Sequence, residues 1–185
     1  EVERTTSRNV LGLIEGSDPA LRDEIIAVTA HYDHLGIGPP VGGDRIYNGA
    51  LDNGVAVAQA LAVAGAFAAL PERPSRSVMI FFCAAEEQGL LGSRYFTTSD
   101  AVQPGRLAAN INFELGNIWG PTRDVIIYGK GQSEPDDWVE AAARTQGRTV
   151  RAEQDVRAGW FYRSDQFSFA RIGVPAIWFK SGVDF

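Results

Sequence analysis

The stretch FFCAAEEQGLLGS, residues 81–93, places two adjacent carboxylates, Glu86 and Glu87, directly after a continuous apolar run. The run SVMIFFCA at residues 77–84 has the length and composition of a strand that is buried on both faces. The acidic pair then lies at the carboxyl end of a strand, the edge where ligands usually bind in open α/β sheets. Two interpretations stay open at this point. The two acids could bind a ligand, or they could lie here because the positive end of a following helix dipole stabilises their negative charge.

Length and composition define the broad class of the protein. A chain of 185 residues with 45% hydrophobic and 22% charged residues is expected to form one globular domain over residues 1–185. The formal charge of -6 argues against a nucleic-acid or anionic-membrane surface, whereas it suits a cation site. The single Cys83 excludes a disulfide framework and is predicted to be a small buried side chain.

The order of predicted elements indicates an α/β fold. Helices and strands alternate, so we expect a largely parallel or mixed sheet. The Ala-rich segment 54–70 is predicted to be a helix buried against that sheet, since Gln59 interrupts it and its length is at the short limit for a membrane span. The segment 36–49 is rich in Gly and Pro and is predicted to be a loop. Strands are predicted at residues 9–15, 24–31, 77–84, 108–115, 124–129, 149–153 and 174–179, and helices at 54–70, 90–98, 134–146 and from Ser164 onward.

Both histidines of the chain lie in HYDHLG, residues 31–36, at the end of a predicted strand. Residues two apart share a face of an extended segment. The Asp33 carboxylate is therefore placed to accept a hydrogen bond from the N–H of the His31 ring nitrogen that does not bind metal. The alternative for either histidine is a hydrogen-bonded ring near a strand end.

Further acids lie at the ends of other elements. Asp52 and Asn53 stand immediately before the predicted helix at residues 54–70, and either could cap it; alternatively, Asp52 offers two oxygens to two metals. Glu114 follows another predicted strand. One histidine with several carboxylates and no thiolate is typical of a hydrolytic site for zinc or a similar divalent ion, whereas structural zinc would call for Cys. The candidate residues are His31, Asp52, Glu86, Glu87 and Glu114.

Five motifs in register resemble the M28 family of metallopeptidases, aminopeptidase-type enzymes with two zinc ions bridged by an Asp and a water. They are HYDHLG, NGALDNG, AAEEQGLLGS, NINFELG and RSDQFSFARIGVPA, in this order. The resemblance covers nearly the whole chain from about residue 9 onward. It implies a central mixed, largely parallel sheet with helices on both sides.

The same resemblance assigns roles to individual residues. His31 matches the first zinc ligand with Asp33 as its partner, and Asp52 matches the bridging ligand. Glu86 matches the catalytic base that activates the bridging water, Glu87 a ligand of one metal, and Glu114 a ligand of the other. Arg163 falls where some members have an arginine lining the substrate site, and Tyr162 beside it is a second candidate.

The chain departs from the family pattern at three places. Glu114 stands where the family usually has Asp, and Gln166 replaces the His of a commoner Ser-Asp-His. The family's last ligand, in a Tyr-His motif after the strand equivalent to VPAIWF, has no counterpart in this chain. We therefore expect a truncated catalytic domain in which His31, Asp52 and Glu114 hold one zinc and the second site, with Asp52 and Glu87, is incomplete.

The function implied is zinc-dependent hydrolysis of peptide bonds, with an aminopeptidase favoured because an acidic pocket attracts the free α-amino group of a peptide. A one-zinc glutaminyl cyclase of the same fold and a catalytically silent binding or scaffold domain are the alternatives. The chain begins at Glu1 without a Met, so we expect a mature or trimmed product that is exported to the periplasm or the medium.

Overall fold

A seven-stranded mixed sheet forms the centre of the computed structural model, which describes residues 5–101 and 103–185. The strands run in the order β1-β5-β2-β6-β9-β7-β8. In this sheet β1 pairs antiparallel with β5, and β7 pairs antiparallel with β9. The other neighbouring strands of the sheet pair in parallel. The bounds are β1 Val10–Ile14, β2 Ile25–His31, β5 Ser77–Cys83, β6 Leu107–Asn112, β7 Asp124–Tyr128, β8 Thr149–Ala152 and β9 Ala176–Ser181. The mixed, largely parallel sheet expected from the sequence is thus confirmed.

Helices cover both faces of this sheet, as the alternation of elements predicts. Helix α1 packs on β2 and β5 through a cluster that includes Val28, Ala60 and Ile80. Helices α2 and α4 pack on the opposite face, where Phe96 and Phe169 contact Phe81 of β5. Helix α3 packs against β7, β8 and β9. The helices are α1 Val55–Ala68, α2 Leu91–Thr98, α3 Pro135–Thr145 and α4 Gln166–Ala170.

The predicted loop at residues 36–49 is wrong in part, because it contains a two-stranded antiparallel ribbon. Strands β3 (Gly36–Val41) and β4 (Asp44–Tyr47) pair with each other and do not join the main sheet. Most of the ribbon is exposed, so its sequence shows no apolar alternation that would indicate strands.

Helix α1 is less buried than its composition indicates. Ala56 and Ala60 are fully buried, but Leu61 on another side of the helix is 55% exposed. By length and composition alone the segment Ala50–Ala68 could cross a membrane, and only 17% of its most apolar window is buried. The prediction of a helix packed on the sheet therefore holds for one face of α1 only.

Candidate metal centre

Three neighbouring parallel strands bring most of the candidate residues to one edge of the sheet. His31 is the last residue of β2 and lies opposite Cys83 of β5. Glu86 and Glu87 follow β5, and Glu114 follows β6 on the other side of β2. Since parallel strands end at the same edge, residues more than fifty positions apart in the chain meet here.

A first set of candidate metal ligands, called the first donor set, consists of His31, Asp52 and Glu114. The Nε2 atom of His31 lies 3.1 Å from Oδ1 of Asp52 and 3.2 Å from Oε1 of Glu114. One ligand atom from each of the three residues lies within 4.8 Å of the others. Zinc bonds of 2.0–2.2 Å in a tetrahedral arrangement place ligand atoms roughly 3.3 Å apart, so the three residues fit a zinc ion with little movement.

The carboxylates create a site that holds positive charge. Burial lowers the pKa of His31, but the hydrogen bond to Glu114 and the charges of Glu114 and Glu86 outweigh it and raise the pKa to about 10. His31 is therefore an imidazolium when no metal is bound, and its proton occupies the place a cation would take.

Glu86 lies beside this donor set without belonging to it. Its Oε2 atom is 3.9 Å from Nε2 of His31, and its side chain is largely buried. Burial and the neighbouring charge of Glu114 raise the pKa of Glu86 to about 8, although His31 acts in the opposite direction. A carboxyl next to a metal position but not among its ligands is suited to accept and return a proton.

Asp33 does not make the contact that the spacing predicts. The Nδ1 atom of His31 donates to the main-chain carbonyl of Asp33 at 3.0 Å, not to its carboxylate. The carboxylate instead accepts a hydrogen bond from the backbone N–H of Glu86, at 3.3 Å. Asp33 thus orients His31 through its backbone and positions Glu86 through its side chain, because the chain leaves β2 and turns directly after His31.

The residues before α1 do not cap the helix. Gly54 precedes the helix, and neither Asp52 nor Asn53 makes a side-chain cap. Asn53 donates to the carbonyl of Phe113 at 3.2 Å and accepts from the N–H of Leu115 at 3.2 Å. These bonds clamp the segment carrying Asp52 to the segment carrying Glu114.

A buried polar network supports Glu114. Ser164 donates to Oε2 of Glu114 at 2.6 Å, and Asn112 donates to the Ser164 hydroxyl at 2.7 Å. Asn112 also donates to Oε1 of Gln166 at 3.0 Å and accepts from Thr29 at 2.7 Å. Gln166, the residue that departs from the family pattern, therefore has a defined structural role behind the site.

A second set of candidate metal ligands, the second donor set, contains His34, to which the sequence assigned no role. One ligand atom from each of His34, Asp52 and Glu87 lies within 4.8 Å of the others. Asp52 belongs to both sets and thus stands between them. The contact between His34 and Glu87 joins the loop after β2 to the turn after β5, and only the strand order of the folded chain reveals it.

A pocket of about 430 Å³ opens beside the acidic pair. Glu86 and Glu87 form one side of it. Tyr162 and Arg163, the predicted substrate-binding residues, line it as well, and the Arg163 guanidinium lies 5.1 Å from the ring centre of Trp160. The structure therefore brings both candidates next to the acids, together with Arg94 and Arg171.

The topology and the donor sets define an α/β protein with room for divalent cations at the carboxyl edge of its sheet. The chain belongs to peptidase family M28, because the profile of that family matches residues 9–184. The resemblance noted in the sequence is thus confirmed over nearly the full chain.

Two curated relatives are similar to this chain over most of its length. The chain is 30% identical over 129 residues to probable leucine aminopeptidase 2 of Aspergillus fumigatus, an alignment that covers 69% of this chain and 23% of the relative. It is 23% identical over 181 residues to leupeptin-inactivating enzyme 1 of Streptomyces exfoliatus, with 97% and 37% covered. The chain therefore spans well under half the length of these curated relatives.

Solved structures share the fold. A zinc aminopeptidase from Bacillus subtilis superposes with a TM-score of 0.71 at 23% identity, covering 94% of this chain and 40% of that one. A glutaminyl cyclase from Porphyromonas gingivalis superposes with a TM-score of 0.67 at 17% identity, covering 94% and 62%. Both an aminopeptidase and a cyclase thus use this arrangement of strands and helices.

Proposed function

We propose that this chain carries the catalytic site of a zinc-dependent peptidase that releases N-terminal residues from peptides. The observation that carries the proposal is the convergence of His31, Asp52 and Glu114 within ligand distance of one another, with the Glu86 carboxylate beside them. Membership of peptidase family M28 and the aminopeptidase names of its relatives support the same reaction.

Zinc fits the donor chemistry of the site, which offers imidazole nitrogen and carboxylate oxygens but no thiolate. His31 would bind through Nε2, because its Nδ1 donates to the Asp33 carbonyl. When bound, zinc would polarise a substrate carbonyl and increase the acidity of water at the site.

Glu86 acts as the proton carrier in this proposal. Its backbone is held by Asp33, and its carboxylate faces the donor set from a separate position. It takes a proton from the attacking water and passes it to the amine that leaves when the peptide bond breaks.

The substrate is proposed to be a peptide with a free N-terminus. The carboxylates at the sheet edge attract the positive α-amino group. Tyr162 and Arg163 line the adjoining pocket and are proposed to contact the substrate.

A one-zinc glutaminyl cyclase is the second candidate. It is favoured by the completeness of the first donor set, since three protein ligands suffice for a single catalytic zinc. The similarity of the fold to that of a glutaminyl cyclase from Porphyromonas gingivalis supports this candidate.

An assay with two substrates separates the candidates. The zinc-loaded protein is incubated with an aminoacyl p-nitroanilide and with a peptide that begins with Gln, and products are identified by mass spectrometry. An aminopeptidase releases free amino acids, whereas a cyclase removes ammonia from the Gln peptide. Zinc binding without either reaction would instead support the silent binding domain.

The variant Glu86→Gln tests the proposed base. We expect kcat to fall by about 10²–10⁴, because general base catalysis is lost, while the zinc content stays unchanged. Glu72→Gln is the matched control, since Glu72 is exposed and lies before β5 at the opposite edge of the sheet. Full activity of Glu86→Gln would contradict the assignment.

A further inference from the structure

We propose that the pocket beside the acidic pair binds a carboxylate group of the substrate through Arg94, Arg163 and Arg171, which all line it. The inference rests on the proposed function, because it names the class of peptide that the same site selects. That class is peptides with a negative charge close to the N-terminus, either on an acidic side chain or on the C-terminal carboxylate of a dipeptide.

The packing of two helices brings the arginines together. Arg94 lies on α2, Arg171 directly follows α4, and Arg163 ends the short helical turn before α4. The buried hydroxyls of Ser93 on α2 and Ser168 on α4 share a hydrogen bond of 2.8 Å. Arg94 is next to Ser93 along the chain, and Arg171 lies three residues after Ser168, so this contact fixes their elements beside each other.

The three guanidinium groups have no acid partner at 4.0 Å or less within residues 5–101 and 103–185. Seven other arginines do pair with an Asp or Glu at this distance, namely Arg22, Arg76, Arg106, Arg123, Arg144, Arg151 and Arg157. Guanidinium groups that line one pocket repel each other, and an anion between them offsets that repulsion. Arg94, Arg163 and Arg171 are therefore available to an anionic ligand.

Solvated surface charge is the simpler explanation, since all three side chains are exposed. Arginines that serve only solubility have no reason to share one cavity or to be held in place. Arg163, however, stacks on Trp160, with the guanidinium carbon 5.1 Å from the centre of the ring. Stacking leaves the edge N–H groups of the guanidinium free and reduces the entropy that is lost when a ligand binds.

Acids and arginines occupy separate places in the pocket. Glu86 and Glu87 line it, yet neither carboxylate lies within 4.0 Å of the three guanidinium groups. The termini of an extended dipeptide are roughly 7 Å apart, so the α-amino group can lie at the acids while a carboxylate reaches the arginines. The cavity of about 430 Å³ is within the ~300–1,000 Å³ of small-molecule sites.

A carboxylate suits this pocket better than a phosphate does. The planar guanidinium group can donate two parallel hydrogen bonds to either anion. Glu86 and Glu87 repel a doubly charged phosphate more strongly than a singly charged carboxylate, because the interaction scales with the charge. Short peptides that carry both a positive and a negative charge therefore fit the pocket better than other anions.

Matched substrate pairs that differ in a single carboxylate test the inference. They are Leu-Ala with its amide, the amide of Leu-Glu with that of Leu-Gln, and the amide of Glu-Ala with that of Gln-Ala. Mass spectrometry of the zinc-loaded protein gives kcat/KM for each peptide, and calorimetry with Glu86→Gln protein gives the affinity without turnover. The charged member of at least one pair should be preferred by at least about 10-fold, and that pair identifies the source of the carboxylate.

Substitutions assign the preference to the arginines. Arg94→Gln and Arg171→Gln should each lower the ratio of the charged to the uncharged peptide by at least about 3-fold, and the double variant should bring it close to one. Arg94→Lys should lie between the wild type and Arg94→Gln, because it keeps the charge but loses the two-pronged hydrogen bond. Arg144→Gln is the matched control, since Arg144 is an exposed arginine on α3 that does not line the pocket.

The outcomes separate this inference from the proposed function. Ratios within twofold in all three pairs, or a preference that survives the double variant, would overturn the role of the arginines. Peptides that are cleaved without such a preference would leave the proposed aminopeptidase intact. If the charged peptides bind more tightly in an arginine-dependent way but no peptide is cleaved, the pocket assignment stands and the proposed function fails.

Discussion

The hydroxyl of Ser164 connects the buried polar network to the metal centre, and its removal gives a sharp prediction. Ser164 donates to Oε2 of Glu114 at 2.6 Å and accepts from Asn112 at 2.7 Å. All three side chains are buried. Ser164→Ala removes both bonds without adding bulk, so its effect isolates the hydroxyl.

The expected loss of stability follows from these contacts. A hydrogen bond to a charged group contributes about 1.5–3 kcal/mol, and burial prevents water from replacing it. Glu114 keeps its contact with His31 at 3.2 Å, and Asn112 keeps Gln166 at 3.0 Å. Because both neighbours retain a partner, we expect the free energy of unfolding of the zinc-free protein to fall by about 2 kcal/mol.

The same substitution should weaken the first zinc ion. Loss of a residue that orients a ligand typically lowers metal affinity 10–100-fold, so the Kd of the ion held by Glu114 should rise by about that factor. Urea unfolding measures the stability and competition with a chelator measures the affinity. Ser17→Ala, at an exposed hydroxyl, is the control. If both quantities stay at the wild-type values, the network does not support Glu114.

Two further predictions concern stability. Burial raises the pKa of Asp165 to about 6. As the pH rises from about 4, the unfolded chain therefore loses this proton before the native state does. The Asp165 carboxyl should then lower the free energy of unfolding of the zinc-free protein by ~3 kcal/mol at about pH 6. Asp165→Asn should make this decline in urea unfolding shallower without abolishing it, because the pKa of Glu86 is also raised, to about 8. A slope equal to that of the wild type would contradict the assignment to Asp165. Gly92→Ala should destabilise the protein by about 1–3 kcal/mol, because the added Cβ would overlap the backbone of Ala84. Thermal unfolding checks this against Gly65→Ala, where the Cβ meets nothing within 4 Å and a gain of about 0.5–1 kcal/mol is expected; equal effects of the two changes would contradict the packing argument.

Local sequence was sufficient for most of the secondary structure. The apolar runs around β2 and β5 predict buried strands because both faces of a central parallel strand are covered. The ribbon of β3 and β4 was missed since it is exposed on its own, so burial leaves no pattern in its residues. Capping by Asp52 or Asn53 was a reasonable local prediction that contacts with Phe113 and Leu115 override.

The sequence by itself determined which chemical groups stand at the ends of the strands. A histidine at the end of β2, an acidic pair after β5 and an acid after β6 follow from where the apolar runs stop. These residues are sufficient to predict a cation site with Glu86 as a candidate base, because parallel strands share one carboxyl edge.

Only the tertiary structure decided which of these groups meet. The order β5-β2-β6 differs from the order along the chain, so it sets the contact of His34 with Glu87 and that of His31 with Glu114. Neither contact leaves a trace in local composition, since each joins residues 53 or 83 positions apart. Strand order and register are properties of the whole packed core, and they turn a set of acids and two histidines into two sets of three donors.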